Sequence, residues 1–416
     1  MAEYIASCGN RQSDFPGFDN TAIQKAVDHV LEQGGGTVML SEGEYLLRDS
    51  IHLRDGVSLV GSGIDRTFLK KNASVQGKTD AFCGFGHREI IVCDSSLFQV
   101  GDGIYTKSDG YYGFQATQTT ITEIDGNTLY LADPLNSDVH GSSNGLVTTV
   151  FPMIKGVNCG NVTISQLTLE GNSDNNHFLE GCRGGGIYLI GCKDIFVRGV
   201  KITNFRGEGF SYQQCRNIWI EDSVCTNNRG NGLHPGSGTV GMVIRNCDIS
   251  NNDRAGIHNC LRVSYQICEN NRICNNGEEG IEIGHRDDYL QISNNIISGN
   301  GAEGIFFRMD NCPGMSGRYV SIHGNQIHDN AKTRGEGQIY APSGLVGLQM
   351  SQNTVGGEVS FRCEDDLTDS FLWDNEFLGA VEIKNGLKVE SCTFTPASTI
   401  RKVDLTDIPE KAFRHL

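Results

Sequence analysis

Six glycine-led segments, repeated at an almost constant interval, constrain this chain more than any other feature of its sequence. They are GIYLIGC from Gly186, GFSYQQC from Gly209, GLHPGSG from Gly232, GIHNCLR from Gly256, GIEIGHR from Gly280 and GIFFRMD from Gly304. Subtracting the residue numbers gives spacings of 23, 23, 24, 24 and 24 residues. A second apolar segment and an Asn-rich turn lie between successive glycines. Two or three short strands with turns, repeated at this period, predict a parallel β-helix.

The repeat also assigns residues to columns, because stacked coils place equivalent residues about 4.8 Å apart. Two apolar columns are predicted to lie in the core: Val197, Ile220, Ile244, Cys268 and Ile292, and Ile202, Cys225, Ile249, Ile273 and Ile297. A third column contains Asn228, Asn252, Asn276 and Asn300. Amides stacked at a turn can bond to one another and tolerate left-handed backbone.

The 15 cysteines fit the same pattern. Cys225 and Cys268 replace Ile or Val in the apolar columns and no CxxC pair occurs, which favours core-filling thiols over disulfides or zinc. The start, MAEYIASCGNRQSDF, lacks the basic and apolar regions of a signal peptide. No run approaches the roughly 18 apolar residues of a membrane helix. We therefore expect a cytoplasmic protein with reduced thiols and no membrane partner.

Charge restricts the class of partner. The formal net charge is −16 and the sequence pI is about 5.1. Nucleic-acid binding requires a basic face, so no nucleic-acid partner is predicted. An anionic substrate would need a local basic pocket against this background.

An amphipathic helix is predicted before the coils. Asn20 or Thr21 can cap it, Ile23, Val27, Val30 and Leu31 follow helical spacing, and the glycines at 34–36 end it. The strands TVML, EYLL and VSLVG follow. Such a helix would cover the open end of a β-helix.

The same segment carries a family resemblance. DNTAIQKAVDHV, GGGTVMLSEGEYLL and IHLRDGVSLVGSG, between residues 19 and 63, resemble the N-terminal signature of the pectate-lyase-like right-handed β-helix superfamily. Ser41 stands where the family often has proline. The superfamily includes polysaccharide lyases, polygalacturonase-type glycosidases, uronate epimerases and phage tailspikes. GLHPGSG and GIEIGHRDD resemble an uncharacterised branch of it, so the resemblance implies an all-β, right-handed parallel β-helix and a carbohydrate ligand without fixing the reaction.

Four segments are expected. Residues 1–71 form the cap and first coils, and residues 72–150 form an inserted antiparallel β-subdomain flanking a groove, with a turn at Asp125-Gly126-Asn127. Residues 151–396 form the main coils, and 397–416 a polar tail.

The candidate active site follows from strand alternation, which points every second side chain outward. One outward column is Tyr188, Ser211, His234, His258, Glu282 and Phe306. The next is Ile190, Gln213, Gly236, Cys260, Gly284 and Arg308. An ordinary polar surface would also give polar columns, but two histidines and a glutamate in register, followed by an arginine, favour a catalytic site. We predict His234, His258, Glu282 and Arg308 as catalytic residues, with Gly236 and Gly284 leaving open space.

Residues around this column are predicted to bind substrate. They are Ser211, Gln213, Arg262, His285, Arg286, Asp287, Asp288, Phe306 and Asp310.

Several chemistries remain open. The first is β-elimination at a uronic acid, or C5 epimerisation, with Arg308 on the carboxylate and a histidine as acid or base. The second is glycoside hydrolysis by Glu282 with Asp287, Asp288 or Asp310, which needs carboxyl groups about 5–5.5 Å or 6.5–9.5 Å apart. A non-catalytic carbohydrate-binding β-helix is the third. We predict β-elimination first, with a short acidic oligosaccharide as the substrate. A homo-oligomer is a possible assembly.

No cofactor is predicted. The alternative is a divalent metal held by His234, His258 and Glu282, or calcium on Asp287 and Asp288.

Overall fold

The computed structural model describes residues 4–111, 113–309, 316–390, 392–394, 400–401 and 413–415. The fold is a right-handed parallel β-helix with an N-terminal α-helix and an antiparallel insertion, as predicted. Two compact units make up the chain: residues 1–192 with 199–211, and residues 193–198 with 212–416. Among the described residues, no helix is long and apolar enough to cross a membrane.

The first unit contains the early coils, whose strands pair in parallel. The strands are Tyr4–Gly9, Phe15–Pro16, Gly36–Leu40, Gly43–Leu47, Ile51–His52, Val57–Val60, Thr67–Lys71, Ile154–Val157, Gly160–Glu170 and Ile187–Ile190. They include the three predicted N-terminal strands.

The N-terminal helix spans Asn20–Glu32 and packs on the strands Tyr4–Gly9 and Gly36–Leu40. Its cap is Asp19, whose side chain accepts a hydrogen bond from the Ala22 amide at 2.8 Å, and not Asn20 or Thr21 as predicted. The helix therefore begins one or two residues earlier than expected.

The buried face of the helix also differs from the prediction at one position. Leu31 is 39% exposed, so its helical spacing does not put it in the core. Ala22 and Ala26 are buried instead, because small side chains let the helix approach the coils closely.

The insertion is confirmed as an antiparallel subdomain with its own apolar core. Its strands are Gln76–Lys78, Glu89–Ile91, Gly103–Lys107, Thr117–Asp125, Thr128–Leu131 and Leu146–Thr148. Short 3₁₀ turns lie within it at Ser95–Leu97, Gly113–Gln115 and Gly141–Ser143, and another lies in the coils at Ser173–Asn175. Gly126 and Asn127 form the predicted hairpin turn, with Gly126 at φ +53°.

The second unit contains three stacks of parallel strands. The first stack is Leu233–Pro235, Ile257–His258, Ile281–Ile283, Ile305–Phe307 and Ile339–Ala341. The second is Arg216–Glu221, Val240–Arg245, Ser264–Glu269, Asp288–Ser293, Ser321–His323 and Gln349–Ser351. The third is Val224–Thr226, Asp248–Ser250, Arg272–Cys274, Ile296–Ser298, Gln326–His328, Thr354–Val355, Glu376–Phe377 and Cys392–Phe394.

The remaining strands are Lys193–Thr203, Phe210–Gln213, Leu345–Val346, Val359–Trp373, Ala380–Glu390, Ile400–Arg401 and Phe413–His415. The last two pair in parallel with Ala380–Glu390 and Cys392–Phe394, respectively.

The predicted core columns are present in the second unit. Val197 pairs with Ile220, Ile220 with Ile244, Ile244 with Cys268, and Cys268 with Ile292, and all are buried. None of the described cysteines forms a disulfide.

The predicted asparagine column is also present. Asn252 Oδ1 accepts from Asn228 Nδ2 at 2.9 Å, and Asn276 Oδ1 accepts from Asn252 Nδ2 at 3.0 Å. The left-handed backbone lies one residue earlier than expected, at Asn227, Asn251, Asn275 and Gly299.

A second amide ladder was not predicted. It contains Asn271, Asn295, Asn325, Asn353 and Asn375. Each member is buried, and each of the first four donates from Nδ2 to Oδ1 of the next member.

Candidate active site

Parallel register brings the predicted catalytic residues together. Ile257 pairs with Ile281 and His258 with Glu282, and Leu233 pairs with Ile257, which sets His234 one coil before His258. Buried Leu233, Ile257 and Ile281 face inward on their strands, so the residue after each of them faces the opposite side. The two imidazole rings meet edge to face, with centroids 4.8 Å apart.

Glu282 binds two other residues of the cluster, His258 and Arg308. Its Oε2 accepts a short hydrogen bond from His258 Nδ1, and its Oε1 accepts one from Arg308 Nε at 2.7 Å. Burial opposes the charge on Glu282, but His258 and Arg308 outweigh burial and hold the pKa of this carboxyl below its usual range. The residue is therefore an ionised carboxylate that orients its neighbours.

Arg308 is held on several sides. Its Nη1 donates to the Cys260 carbonyl at 3.1 Å and its Nη2 to the Asn259 carbonyl at 3.4 Å. Nη2 also lies 3.3 Å from His258 Nε2. The side chain remains 23% exposed.

Cys260 is the functional candidate that the sequence interpretation missed. Its Sγ lies within 4.8 Å of a ring nitrogen of both His234 and His258. Burial raises the pKa of the Cys260 thiol, but both histidines outweigh burial and the net effect lowers its pKa. Burial likewise disfavours charge on His258, yet hydrogen bonds to Cys260 and Glu282 raise its pKa above the ordinary value. The pair therefore favours thiolate and imidazolium.

A signal for Cys260 was present in the sequence. It occupies the outward column, two residues after His258, and not a core column like Cys225 or Cys268. Of the described residues, His234, His258 and Cys260 form the group whose ligand atoms are close enough to hold a metal ion.

Two predicted binding residues are buried within the protein. Ser211 is fully buried, and its Oγ donates to the Gly181 carbonyl at 2.6 Å. Gln213 is 1% exposed and its amide fills the space beside Gly236, where an added methyl group would overlap it. Neither side chain reaches the surface, so the prediction that they contact substrate does not fit this structure.

The two glycines do not open space for a ligand. Gly236 accommodates Gln213, and Gly284 lies against the carbonyl oxygens of Asn259 and Cys260. Both permit close packing of adjacent coils, which corrects the predicted role.

The carboxylates proposed as hydrolytic partners of Glu282 are already engaged. Asp287 is fully buried and accepts from the amides of Val263 at 2.8 Å and Gly284 at 2.6 Å. Burial raises the pKa of Asp287 to about 7. Asp288 is bound bidentately by Arg318, at 2.9 and 2.6 Å. Asp310 lies outside the described residues.

Other predicted binding residues border the site. Arg262 and Arg286 are exposed at left-handed turn positions with φ +54° and +57°. His285 is partly exposed, and its carbonyl accepts from the Arg262 amide. Phe306 pairs in register with Glu282 and stacks on Tyr340, with ring centroids 5.9 Å apart.

A second buried acid lies near the cluster. Glu279 is 5% exposed, and its Oε1 accepts from Arg334 Nη2 at 3.2 Å. Burial raises the pKa of Glu279 to about 7. The sequence interpretation placed it in the Asn-rich turn before Gly280 and did not single it out.

Comparisons with known proteins agree with this architecture. The family described as right handed beta helix region matches residues 153–313, and the family described as rhamnogalacturonase A/epimerase, pectate lyase-like, matches residues 12–84. A curated mannuronan C5-epimerase, AlgE3 of Azotobacter vinelandii, is 30% identical over 122 residues. That match covers 27% of this chain and 6% of the relative, so the chain spans a small part of the relative's length.

Solved structures resemble most of the chain. The A-module of mannuronan C5-epimerase AlgE6 from Azotobacter vinelandii superposes with a TM-score of 0.56 at 19% identity, covering 92% of this chain and 94% of that one. PfbA, a surface adhesin of Streptococcus pneumoniae, gives 0.55 at 12% identity, covering 92% and 88%. At such identities the likeness establishes the fold alone.

Proposed function

We propose that this chain, as a pectate-lyase-like right-handed parallel β-helix, is a carbohydrate-active enzyme. Its substrate would be an acidic oligosaccharide, and its chemistry would begin by removing the C5 proton of a uronic acid residue. The observation that carries the proposal is the joint placement of His258, Glu282 and Arg308 on one outward face.

Each requirement of this step has a candidate group. The proton at C5 becomes acidic when a positive charge faces the adjacent carboxylate, and Arg308 carries such a charge on a partly exposed side chain. The His258–Cys260 pair is the proton carrier: the thiolate can accept a proton, and the imidazolium, which Glu282 orients through Nδ1, can donate one. The C5–H bond breaks, the proton passes to the carrier, and its electrons delocalise into the carboxylate.

Loss of the C5 proton gives a carbanion stabilised by the carboxylate, and two reactions can follow from it. Return of a proton to the opposite face inverts C5, which is epimerisation. Departure of the C4 oxygen substituent gives an unsaturated sugar, which is β-elimination. We favour epimerisation because the curated relatives are named mannuronan C5-epimerases, and keep elimination as the alternative. Hydrolysis is less favoured, since Asp287 and Asp288 are engaged elsewhere.

Solvent isotope exchange tests the shared step. Acidic and neutral oligosaccharides would be incubated with the protein in D₂O, and deuterium at C5 measured by NMR. We expect incorporation with uronate-containing substrates only. Ultraviolet absorbance of an unsaturated product would report elimination, and new reducing ends without absorbance would report hydrolysis. Binding of a uronate with neither isotope exchange nor a change in absorbance would indicate a binding module and contradict the proposal.

Glu282→Gln and His258→Ala are the decisive variants. Each is expected to lower the exchange rate by about 10²–10⁴-fold, the range for loss of an acid–base group or its orienting partner. Matched controls are Glu269→Gln, whose carboxylate pairs with Arg245, and His328→Ala, which is 44% exposed. Equal activity of wild type and Glu282→Gln would remove Glu282 from the mechanism.

A further inference from the structure

Three side chains of different chemistry converge on the outward face of two adjacent coils. His234 follows Leu233, His258 follows Ile257 one period later, and Cys260 lies two residues beyond His258. One ring nitrogen of each imidazole and the Cys260 sulfur all lie within 4.8 Å of one another. His234 is 5% exposed, whereas His258 and Cys260 are partly exposed, so the group is open to solvent on one side only.

This donor set suits one class of ion. Thiolate and imidazole ligands select zinc and related transition metals, whereas calcium and magnesium require oxygen ligands. A tetrahedral zinc ion with bonds of about 2.0–2.3 Å holds its ligand atoms roughly 3.5 Å apart. Side-chain shifts of about 1 Å would close the observed group around an ion.

A supporting group for such a site is already in place. Metal-bound histidines commonly donate their second nitrogen to a carboxylate, which fixes the ring and makes it a better ligand. His258 does this through Nδ1 to Glu282, and its Nε2, now 3.3 Å from Arg308 Nη2, would exchange that contact for the ion. Both Glu282 oxygens are engaged, one by His258 and one by Arg308, so Glu282 supports the site and is not itself a ligand.

We propose that His234, His258 and Cys260 bind one transition-metal ion of the zinc class, with the fourth position open on the solvent side. The site differs from the predicted set of two histidines and Glu282, because Cys260 replaces the carboxylate. The inference stands on the geometry of the three side chains and does not depend on the proposed reaction.

Zinc binding would have a consequence for the proposed function. A bound ion would occupy one nitrogen of His258 and the Cys260 sulfur. Proton transfer by His258 and metal binding then exclude each other, so added Zn²⁺ is expected to inhibit isotope exchange and a chelator to restore it.

Direct binding tests the site without any saccharide. Reduced, chelator-treated full-length protein would be dialysed against Zn²⁺ and its metal content measured by mass spectrometry. We expect about one equivalent per chain in wild type. Cys260→Ser and His234→Ala should each weaken binding at least about 10-fold, and Glu282→Gln should weaken it by a similar factor. Co²⁺ should give a thiolate charge-transfer band that disappears in Cys260→Ser.

Controls separate the site from adventitious binding. Cys93→Ser removes an exposed thiol and His328→Ala an exposed imidazole, and both should bind Zn²⁺ as wild type does. Circular dichroism melts would establish that each variant folds. If His234→Ala does not fold, the partly exposed Cys260 carries the test.

The proposal is overturned if wild type binds no Zn²⁺, or if Cys260→Ser binds as tightly as wild type. Metal binding without turnover of any uronate would contradict the proposed function only. Turnover of uronates without metal binding would contradict the metal site only.

Discussion

At the scale of single residues, Lys71 is the most unusual charge in the first unit. It is 2% exposed, its Nζ donates to Asn176 Oδ1 at 2.7 Å, and it lies 4.0 Å from the ring centroid of Phe151. Burial lowers the pKa of Lys71 to about 7, although Asp49 opposes the shift. The lysine is charged in the unfolded chain, and burying it in the charged form costs desolvation free energy.

The sign of the resulting pH dependence follows from linkage. Between about pH 7 and about pH 10 the unfolded chain binds more protons at Lys71 than the folded chain, so this residue makes stability rise with pH. Below about pH 7 its unfavourable contribution is constant. We expect Lys71→Met to stabilise the protein more at pH 7 than at pH 10, measured as the shift in the urea unfolding midpoint at each pH.

Lys70→Met is the matched control, because Lys70 is exposed and paired with Glu44. It should shift the midpoint equally at both pH values. A Lys71→Met shift that does not change with pH would mean that Lys71 stays charged when buried.

At the scale of the structural element, the asparagine ladders join one coil to the next. Asn276 Oδ1 accepts from the Asn252 amide and side chain, and Asn276 Nδ2 donates to Asn300 Oδ1 and the Ile249 carbonyl. All these groups are buried, so water cannot replace the lost partner. We expect Asn276→Ala to lower the free energy of unfolding by about 2–4 kcal/mol, since it leaves several buried polar groups unsatisfied.

Arg272 provides a comparison within the same coil. It is 49% exposed and pairs with Asp248, so Arg272→Ala should cost less than about 1 kcal/mol. Denaturant titrations of both variants give the two values. Similar losses would show that the ladder contributes no more than a surface ion pair.

At the scale of the whole molecule, the thiols can be counted. The chain has 15 cysteines, and none of those described forms a disulfide. Cys159 Sγ lies 3.6 Å from Cys192 Sγ, well beyond the bond length of about 2.05 Å. We expect at least the 13 described thiols to react with Ellman's reagent after anaerobic denaturation, and reductant to leave the melting temperature unchanged. A lower count, or a reductant-sensitive melt, would indicate disulfides.

In the native protein only a few thiols should react quickly. Cys93 is exposed, and Cys260 combines partial exposure with a lowered pKa. Cys260→Ser should therefore remove one fast-reacting thiol, whereas Cys268→Ser, at a fully buried site, should not.

The sequence by itself determined the fold and the register of the central cluster. A 24-residue period can be satisfied by stacked coils, and stacking makes residues one period apart hydrogen-bonded neighbours. The adjacency of His258 and Glu282 follows from that arithmetic, as does the column from Val197 to Ile292. Period and alternation are backbone properties, so the register can be predicted without knowledge of any side-chain contact.

Only the tertiary structure decided what each outward side chain does. Spacing places Gln213, Cys260 and Asp287 near the same face, but it carries no information about which cavities the backbone leaves between coils. Gln213 fills the space at Gly236, Asp287 binds two backbone amides, and Cys260 meets two imidazoles. These outcomes depend on the direction of each side chain and on the desolvation of its polar atoms. A repeat in the sequence specifies neither.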